Sequence, residues 1–256
     1  MAAAKGRSRA PREKPQQIAD EIRALIVGGD LVEGDSLGRE PELVERFGVS
    51  RPSLREALRI LETEGLVEVV RGLHGGVVVR APDRRMTART AALVLQARNV
   101  ALADVFEARS MLEPLAAKSL ALSAQRGRKA ATAKLRALIS AEQDALEDPD
   151  AFGQANARFH ERLVALAGNQ TLTILAEMLN EIVARAVAAV SRTEDIVGSL
   201  ATRRRGIRSQ ERLVELIEAG DASAAEEHWR SHMAIVSRVM LRQEAATVID
   251  LLNHQT

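Results

Sequence analysis

Residues 47–67 read FGVSRPSLREALRILETEGLV, and this stretch decides the fold of the first part of the chain. Gly48 predicts a tight turn, because glycine adopts a left-handed backbone conformation at little cost. Ser50 and Pro52 are typical of a helix N-terminus, and Gly65 predicts where that helix ends. The stretch therefore predicts a turn followed by a single amphipathic helix.

The segments on either side complete a small domain. Helical periodicity precedes the turn at residues 16–27 and 40–47, and β-branched runs at 66–70 and 77–79 follow the helix. Three helices and then a β-hairpin with a glycine-rich tip are the order of a winged helix-turn-helix, which we place at residues 15–82.

The helix after the turn carries a row of arginines. Arg51, Arg55 and Arg59 recur every fourth residue beside the apolar face. Such a helix can enter the major groove of DNA, where arginine binds phosphates or the guanine edge. The alternative is a solvated face on which Glu56 and Glu62 pair with the arginines.

Two further features favour DNA binding. Ser50 and Ser53 lie at the helix start, where hydroxyls and free backbone N–H groups can meet phosphate. Gly75 and Gly76 lie near the hairpin tip, which can approach a minor groove closely because it lacks bulky side chains.

The rest of the chain predicts helices only. Residues 83–100 indicate a charged linker and a linking helix, and residues 101–250 indicate an all-helical domain. The predicted segments of that domain are about 101–124, 127–145, 149–167, 170–193, 199–219 and 221–246. The predicted fold class is mostly α: a winged helix-turn-helix followed by a helical bundle.

Composition narrows the class of protein. Hydrophobic residues make up 46% of the 256 residues, and the absence of cysteine excludes disulfides and thiolate metal sites. No apolar run is long enough for a membrane span, and no secretory signal follows the N-terminus. We therefore expect a cytoplasmic protein.

Residues 1–14 hold five basic residues against one acidic residue, which predicts a disordered tail drawn to phosphate.

Polar residues interrupt the apolar stripes of the helical domain. Arg109, Asn156, Gln210 and His232 each fall where the periodicity calls for an apolar residue, and His160 lies one turn after Asn156. Buried polar groups are costly unless paired. We expect them to converge on one polar site that holds water, an anion or a metal; the alternative is that each is satisfied separately.

The stretch at residues 47–67 resembles the GntR family of bacterial regulators. The resemblance implies that Arg51, Ser53 and Arg55 contact DNA and that Gly75 and Gly76 form the wing tip.

The sequence departs from the family at one position of the DNA reader. Pro41 stands where the family often has a DNA-contacting arginine, and Arg39 is the candidate that compensates.

The helical domain is similar to the FCD sensor domain of the FadR branch. The similarity lies in residues 106–114, in Asn156-x-x-Phe159-His160, and in Gly220-Asp221 followed by His232. It implies a homodimer that binds a small carboxylate or acyl effector.

Many FCD domains bind a divalent metal through one Asp and three His. Asn156, His160, Gln210 and His232 occupy those positions here, which leaves zinc or nickel binding as an open expectation because amides are poor ligands. The alternative is a metal-free site with Arg109 and Arg185 on an anionic effector. The candidate effector-binding residues are Arg109, Asn156, His160, Arg185, Gln210, His228 and His232.

Three functions follow from these features. The first is a regulator, in the form of a repressor released from a palindromic DNA operator by a small anionic effector. The second is a metal-dependent helical-bundle enzyme that uses His160 and His232. The sequence disfavours it because there is no nucleophile motif and no carboxylate pair on the apolar stripes. The third is an architectural nucleic-acid protein, disfavoured by the net charge of +1.

Overall fold

The computed structural model of the chain describes residues 13–72, 75–80, 84–190 and 199–244. The chain divides into two compact units, Met1–Met86 and Thr87–Thr256. Most of the predicted basic tail of residues 1–14 lies outside the described residues.

The first unit contains three helices and a small antiparallel sheet. The helices are α1 (Glu13–Val27), α2 (Glu40–Phe47) and α3 (Arg51–Thr63), and the strands are β1 (Ser36–Gly38), β2 (Val67–Val70) and β3 (Gly76–Val79). The strand order is β1-β3-β2, with Val67 opposite Val79 and Val70 opposite Gly76. This arrangement confirms the winged helix-turn-helix.

The strand β1 was not predicted from the sequence, which indicated β-structure only at residues 66–70 and 77–79. It pairs with β3 through Ser36 and Gly38, and the register shifts between them. Gly38 has a φ of 110°. A three-residue strand ending in a left-handed glycine shows no alternation long enough to be recognised.

The turn and the helix α3 form for the reasons that the sequence indicates. Gly48 caps α2 with a φ of 59°, and the Ser50 side chain caps α3 by accepting from the Ser53 backbone N–H at 3.3 Å. Arg23 donates to both carboxylate oxygens of Glu64, at 2.9 and 2.7 Å, and so ties α1 to the end of α3. The buried side chains of α3 are Leu54, Ala57, Leu58 and Leu61, which pack on α1, α2 and the sheet.

The second unit is an all-α bundle, as predicted. Its helices are α4 (Arg84–Ala97), α5 (Leu102–Leu122), α6 (Gln125–Asp144), α7 (Pro149–Leu166), α8 (Gln170–Val190), α9 (Leu200–Ala219) and α10 (Ala222–Glu244). The helix α5 packs against α7, α8, α9 and α10. Phe152, Phe159 and Trp229 lie in the largest apolar core of the second unit. Within the described ranges, no helix has the length and apolar character needed to cross a membrane.

Candidate DNA-contacting face and buried polar clusters

The arginine row of α3 faces solvent. Arg51, Arg55 and Arg59 are all exposed, while the leucines one or two positions away are buried. The helix therefore uses one face for the core and presents three guanidinium groups on another. We refer to Arg51, Arg55 and Arg59 as the arginine row.

Only one arginine of the row has a carboxylate partner among the described ion pairs, and that partner is not the predicted one. Arg55 donates from Nε to Glu40 of α2 at 2.9 Å and keeps 69% of its side chain exposed. Glu62 instead accepts from the backbone N–H of Val69 at 3.0 Å and so holds β2 against α3. An exposed pair of this kind contributes little, so Arg55 can exchange Glu40 for a phosphate at small cost.

Three further residues of the predicted DNA reader lie at helix starts. Ser50 and Ser53 share a hydrogen bond of 2.9 Å between their hydroxyls at the start of α3. Arg39 is exposed at the N-cap of α2, where its backbone N–H donates to Glu42 at 2.9 Å. Pro41 lies in the first turn of α2, where a backbone N–H would have no partner within the helix, so the proline costs no hydrogen bond.

Gly75 and Gly76 lie at the turn end of the hairpin, as predicted, and Gly76 is opposite Val70 in the last pair before the turn. A Cβ on Gly75 would lie 2.4 Å from the carbonyl oxygen of Val70, and one on Gly76 would lie 3.1 Å from that of Gly38. Residues 73 and 74 at the tip lie outside the described residues. The packing therefore explains both glycines within the hairpin, and their contact with DNA stays a prediction.

A buried carboxylate on α5 gathers donors from three helices. Glu113 accepts from Arg109 Nε at 3.1 Å and from Trp229 Nε1 at 3.0 Å, and it pairs with His160 Nδ1 at 2.6 Å. Arg109 Nη2 lies 3.0 Å from the same carboxylate in an ion pair. We call these four residues the Glu113 cluster. Burial raises the pKa of Glu113, but His160 and Arg109 outweigh it and bring the pKa to about 2. The carboxylate is therefore ionised and only accepts, so the hydrogen of the short bond belongs to His160.

His232 lies beside this cluster without a hydrogen bond at Nε2. Its ring stacks on Trp229 at 4.3 Å between centroids and lies 6.1 Å from the ring of His160. Burial lowers the pKa of His232 to about 3, and His160 adds to the shift. Within the described part of the chain, His232 Nε2 is a buried nitrogen with no partner. The imidazole is therefore neutral and has one ring nitrogen left for a ligand.

A second buried carboxylate joins three helices of the same unit. Glu142 of α6 accepts from Gln210 Nε2 of α9 at 3.0 Å and from Asn156 Nδ2 of α7 at 3.4 Å. We call Glu142, Asn156 and Gln210 the Glu142 cluster. Burial raises the pKa of Glu142 to about 7, although both hydrogen bonds act to lower it. Asn156 and His160 are one turn apart on α7, so this helix contributes to both clusters.

The structure thus brings most of the predicted effector residues into two groups. Arg109, His160 and His232 lie in or beside the Glu113 cluster, and Asn156 and Gln210 lie in the Glu142 cluster. His228 lies apart, where Nε2 is 2.8 Å from the Ser209 carbonyl oxygen. The side chain of Arg185 lies outside the described residues. The roles of these residues in effector binding stay predictions.

Glu142 and Trp229 were not among the site residues predicted from the sequence, and the spacing of four residues between Arg109 and Glu113 predicts only that these two meet on α5. Glu113 and Glu142 are both buried, each with partners of its own, so they are two separate carboxylates and not a pair. The signal was present: Leu135, Ile139 and Glu142 follow helical spacing on α6, and the last of them is charged.

The four residues of the predicted metal site fit zinc or nickel poorly. Two of them are neutral amides, which are weak ligands for these ions, and both amide nitrogens donate to Glu142. Nowhere in the described ranges are three His, Asp or Glu side chains grouped so that they could hold a metal ion. Metal binding stays a prediction from the resemblance, and the donor chemistry does not favour it.

A winged helix-turn-helix with an exposed arginine row, followed by a helical unit with buried polar clusters, defines the class of DNA-binding regulators with a sensor domain. The profile of the bacterial regulatory proteins of the gntR family matches residues 14–79, and that of the FCD domain matches residues 104–234. The chain belongs to the GntR family of bacterial regulatory proteins and carries an FCD domain.

Relatives and solved structures agree with this assignment. A regulatory protein of an L-lactate dehydrogenase operon from Escherichia coli is 29% identical over 91% of this chain and 88% of its own length. The Uxu operon regulator of Haemophilus influenzae is 34% identical over 64% of this chain and 58% of its own length. A GntR structure from Streptococcus agalactiae matches 88% of this chain and 99% of its own with a TM-score of 0.64, and at 22% identity it shows the fold alone.

These proteins are transcriptional regulators, so the enzyme alternative has no support. Membership of the FadR branch stays a prediction.

Proposed function

We propose that the protein is a cytoplasmic repressor that binds a palindromic DNA operator as a homodimer and leaves it when a small carboxylate or acyl effector binds the helical unit. The observation that carries the DNA-binding part is the arginine row on α3, which presents three guanidinium groups on a helix fixed by a buried leucine face. One such helix reads only a few base pairs, so two related copies on a palindrome give the required site length.

An exposed apolar stripe on α5 supports the homodimer. Met111, Leu115 and Leu122 lie on one face of this helix and are 59%, 52% and 68% exposed. Large apolar side chains in a row on a surface are typical of an interface. A second copy of the same helix is the occupant that two-fold symmetry provides.

Two buried polar atoms support an effector site in the helical unit. Gln210 Oε1 and His232 Nε2 have no hydrogen-bond partner among the described residues. A neutral imidazole can donate to a carboxylate, and an amide oxygen can accept from a hydroxyl group. A small hydroxycarboxylate offers both groups. The name of the Escherichia coli relative, which refers to an L-lactate dehydrogenase operon, is consistent with an effector of this class.

The DNA-binding part is tested by selecting a random duplex library on the purified full-length protein and measuring binding to the selected duplex by fluorescence anisotropy. We expect a palindromic consensus. Arg51→Ala should weaken binding by about 5- to 150-fold, which corresponds to about 1–3 kcal/mol for an arginine that contacts a base. Arg126→Ala is the charge-matched control, because Arg126 is an exposed arginine of α6 in the other unit. Equal effects of the two changes would contradict the assignment of the arginine row.

The effector part is tested on the same duplex with L-lactate and propionate, two carboxylates that differ in one hydroxyl group. Release by L-lactate and weaker release by propionate would support a hydroxycarboxylate effector. If no carboxylate or acyl compound of a wider panel releases the duplex, the effector class is wrong while DNA binding stands.

A further inference from the structure

The Glu142 cluster has a feature that the regulator function does not explain. Its carboxyl group is fully buried, with 0% of the residue exposed, and it joins α6 to both α7 and α9 through Asn156 and Gln210. The two bonds run between residues 14 and 68 positions apart in the chain. A single side chain therefore cross-links three helices in the interior of the unit.

Asn156 and Gln210 are two of the four residues that the resemblance assigns to a metal site. Each amide turns its nitrogen toward Glu142, so its donor end is already used within the chain. The other two positions, His160 and His232, offer imidazoles alone, and no anionic residue stands in the set of four. A divalent transition metal prefers imidazole, thiolate or carboxylate ligands over neutral amide oxygens.

We infer that Glu142, Asn156 and Gln210 form a metal-free clamp, which holds α6, α7 and α9 together where a divalent cation would otherwise join the helices. The carboxyl group supplies acceptors to two amide donors, so the cross-link needs no cation. The stability of the helical unit is therefore independent of zinc and nickel. Removing Glu142 leaves the buried amide of Gln210 and the part-buried amide of Asn156 without an acceptor, and a metal ion cannot replace that acceptor.

Two substitutions should convert the clamp into a metal site. Asn156→Asp with Gln210→His gives the set of four one carboxylate and three imidazoles, which are the ligand types that zinc and nickel prefer. His160 already donates from Nδ1 to Glu113 at 2.6 Å, which leaves Nε2 available as a ligand. Glu142 accepts from Gln210 in the parent and is therefore placed to accept from a histidine at 210, as Glu113 accepts from His160. Carboxylates that orient ligating histidines in this way strengthen metal binding.

The experiment measures melting temperature and calorimetric binding of ZnCl₂ and NiSO₄ on the full chain after dialysis against a chelator. For the parent protein we expect no stoichiometric binding and no rise in melting temperature with either ion. Glu142→Ala should melt lower than the parent with and without the ions, whereas Asp144→Ala, an exposed change on the same helix, should melt like the parent.

The double variant Asn156→Asp, Gln210→His should bind one ion per chain and gain melting temperature when the ion is added. Stoichiometric zinc or nickel binding by the parent, with a rise in its melting temperature, would overturn the inference. So would a folded double variant that binds neither ion. If the double variant does not fold, the parent and Glu142→Ala measurements decide the matter. None of these readouts uses DNA, so their failure is distinguishable from failure of the proposed function.

Discussion

Replacing Glu113 by alanine should destabilise the helical unit more than any other single change in its polar interior. The carboxylate is the shared acceptor of Arg109, His160 and Trp229, and all four side chains are buried. Loss of one partner of a buried ion pair costs about 3–5 kcal/mol, because the remaining charge stays buried without compensation. Each of the other two donors adds about 1–3 kcal/mol.

These contributions share one acceptor and do not add fully. We therefore expect a loss of at least about 4 kcal/mol, which is a large part of the 5–15 kcal/mol typical of a folded domain. Arg109→Leu should cost less than Glu113→Ala, because Glu113 then keeps two of its donors. Glu113→Gln preserves the side-chain volume and one acceptor oxygen. Its free energy of unfolding should therefore lie between those of the parent and the alanine variant.

Trp229 provides the assay, since it is the only tryptophan in the chain and its indole N–H bonds directly to Glu113. Urea unfolding is followed by its fluorescence and by circular dichroism. Glu107→Ala, an exposed change on the same helix, should stay within about 0.5 kcal/mol of the parent. A loss below about 1 kcal/mol for Glu113→Ala, or a larger loss for Arg109→Leu, would refute the reasoning. A folded Arg109→Leu variant that the effector still releases from DNA would exclude Arg109 as an effector ligand.

Three further predictions follow from other parts of the structure. Glu142 should contribute a fall in stability of roughly 3 kcal/mol as pH rises from about 4.5 to about 7, because its raised pKa makes the folded state hold the proton longer than the unfolded state. The lowered pKa of His232 opposes this fall below about pH 6.5, so the contribution is read from the difference between the parent and Glu142→Gln. In urea unfolding the parent should lose stability relative to Glu142→Gln between about pH 5 and about pH 8, and an unchanged difference would contradict the prediction. If the proposed homodimer forms through α5, Leu115→Glu should be monomeric in sedimentation equilibrium where the parent is dimeric, and a variant that is dimeric like the parent would remove α5 from the interface. Gly75→Ala should lower the melting temperature, since its Cβ would lie 2.4 Å from the Val70 carbonyl oxygen. Gly127→Ala in α6, where the nearest atom is 3.6 Å away, should not.

The helices of both units could be predicted closely because their ends carry local signals. Ser50, Gly65 and Gly220 cap or end helices through contacts with neighbouring residues in the chain, and such contacts depend on the sequence within one turn. The strand β1 escaped prediction because it depends on pairing with β3, some forty residues further along. Its three residues carry too little pattern of their own.

The polar interior could be predicted in part, for a similar reason. Periodicity alone indicated that Arg109, Gln210 and His232 are buried, and all three are. Periodicity does not state which buried groups meet. The bonds of Glu113 to His160 and to Trp229 span 47 and 116 residues, so only the packing of the helices decides them.

The two clusters also constrain how an effector can act. Both take donors from α7, through His160 and Asn156, so a displacement of that helix must break or move bonds in both. A ligand that takes a donor away from Glu113 or Glu142 removes a hydrogen bond from a buried carboxyl group, at a cost of about 1–3 kcal/mol. Binding is favourable only if the ligand replaces the bond that it breaks or uses the atoms that have no partner. Among the described residues, Gln210 Oε1 and His232 Nε2 are such atoms. The amide oxygen of Gln210 needs a hydrogen-bond donor, and the ring nitrogen of His232 can pair with a donor or an acceptor, depending on its tautomer. A ligand that bonds to these atoms disturbs neither Glu113 nor Glu142, whereas a ligand that competes for the donors of either carboxylate does.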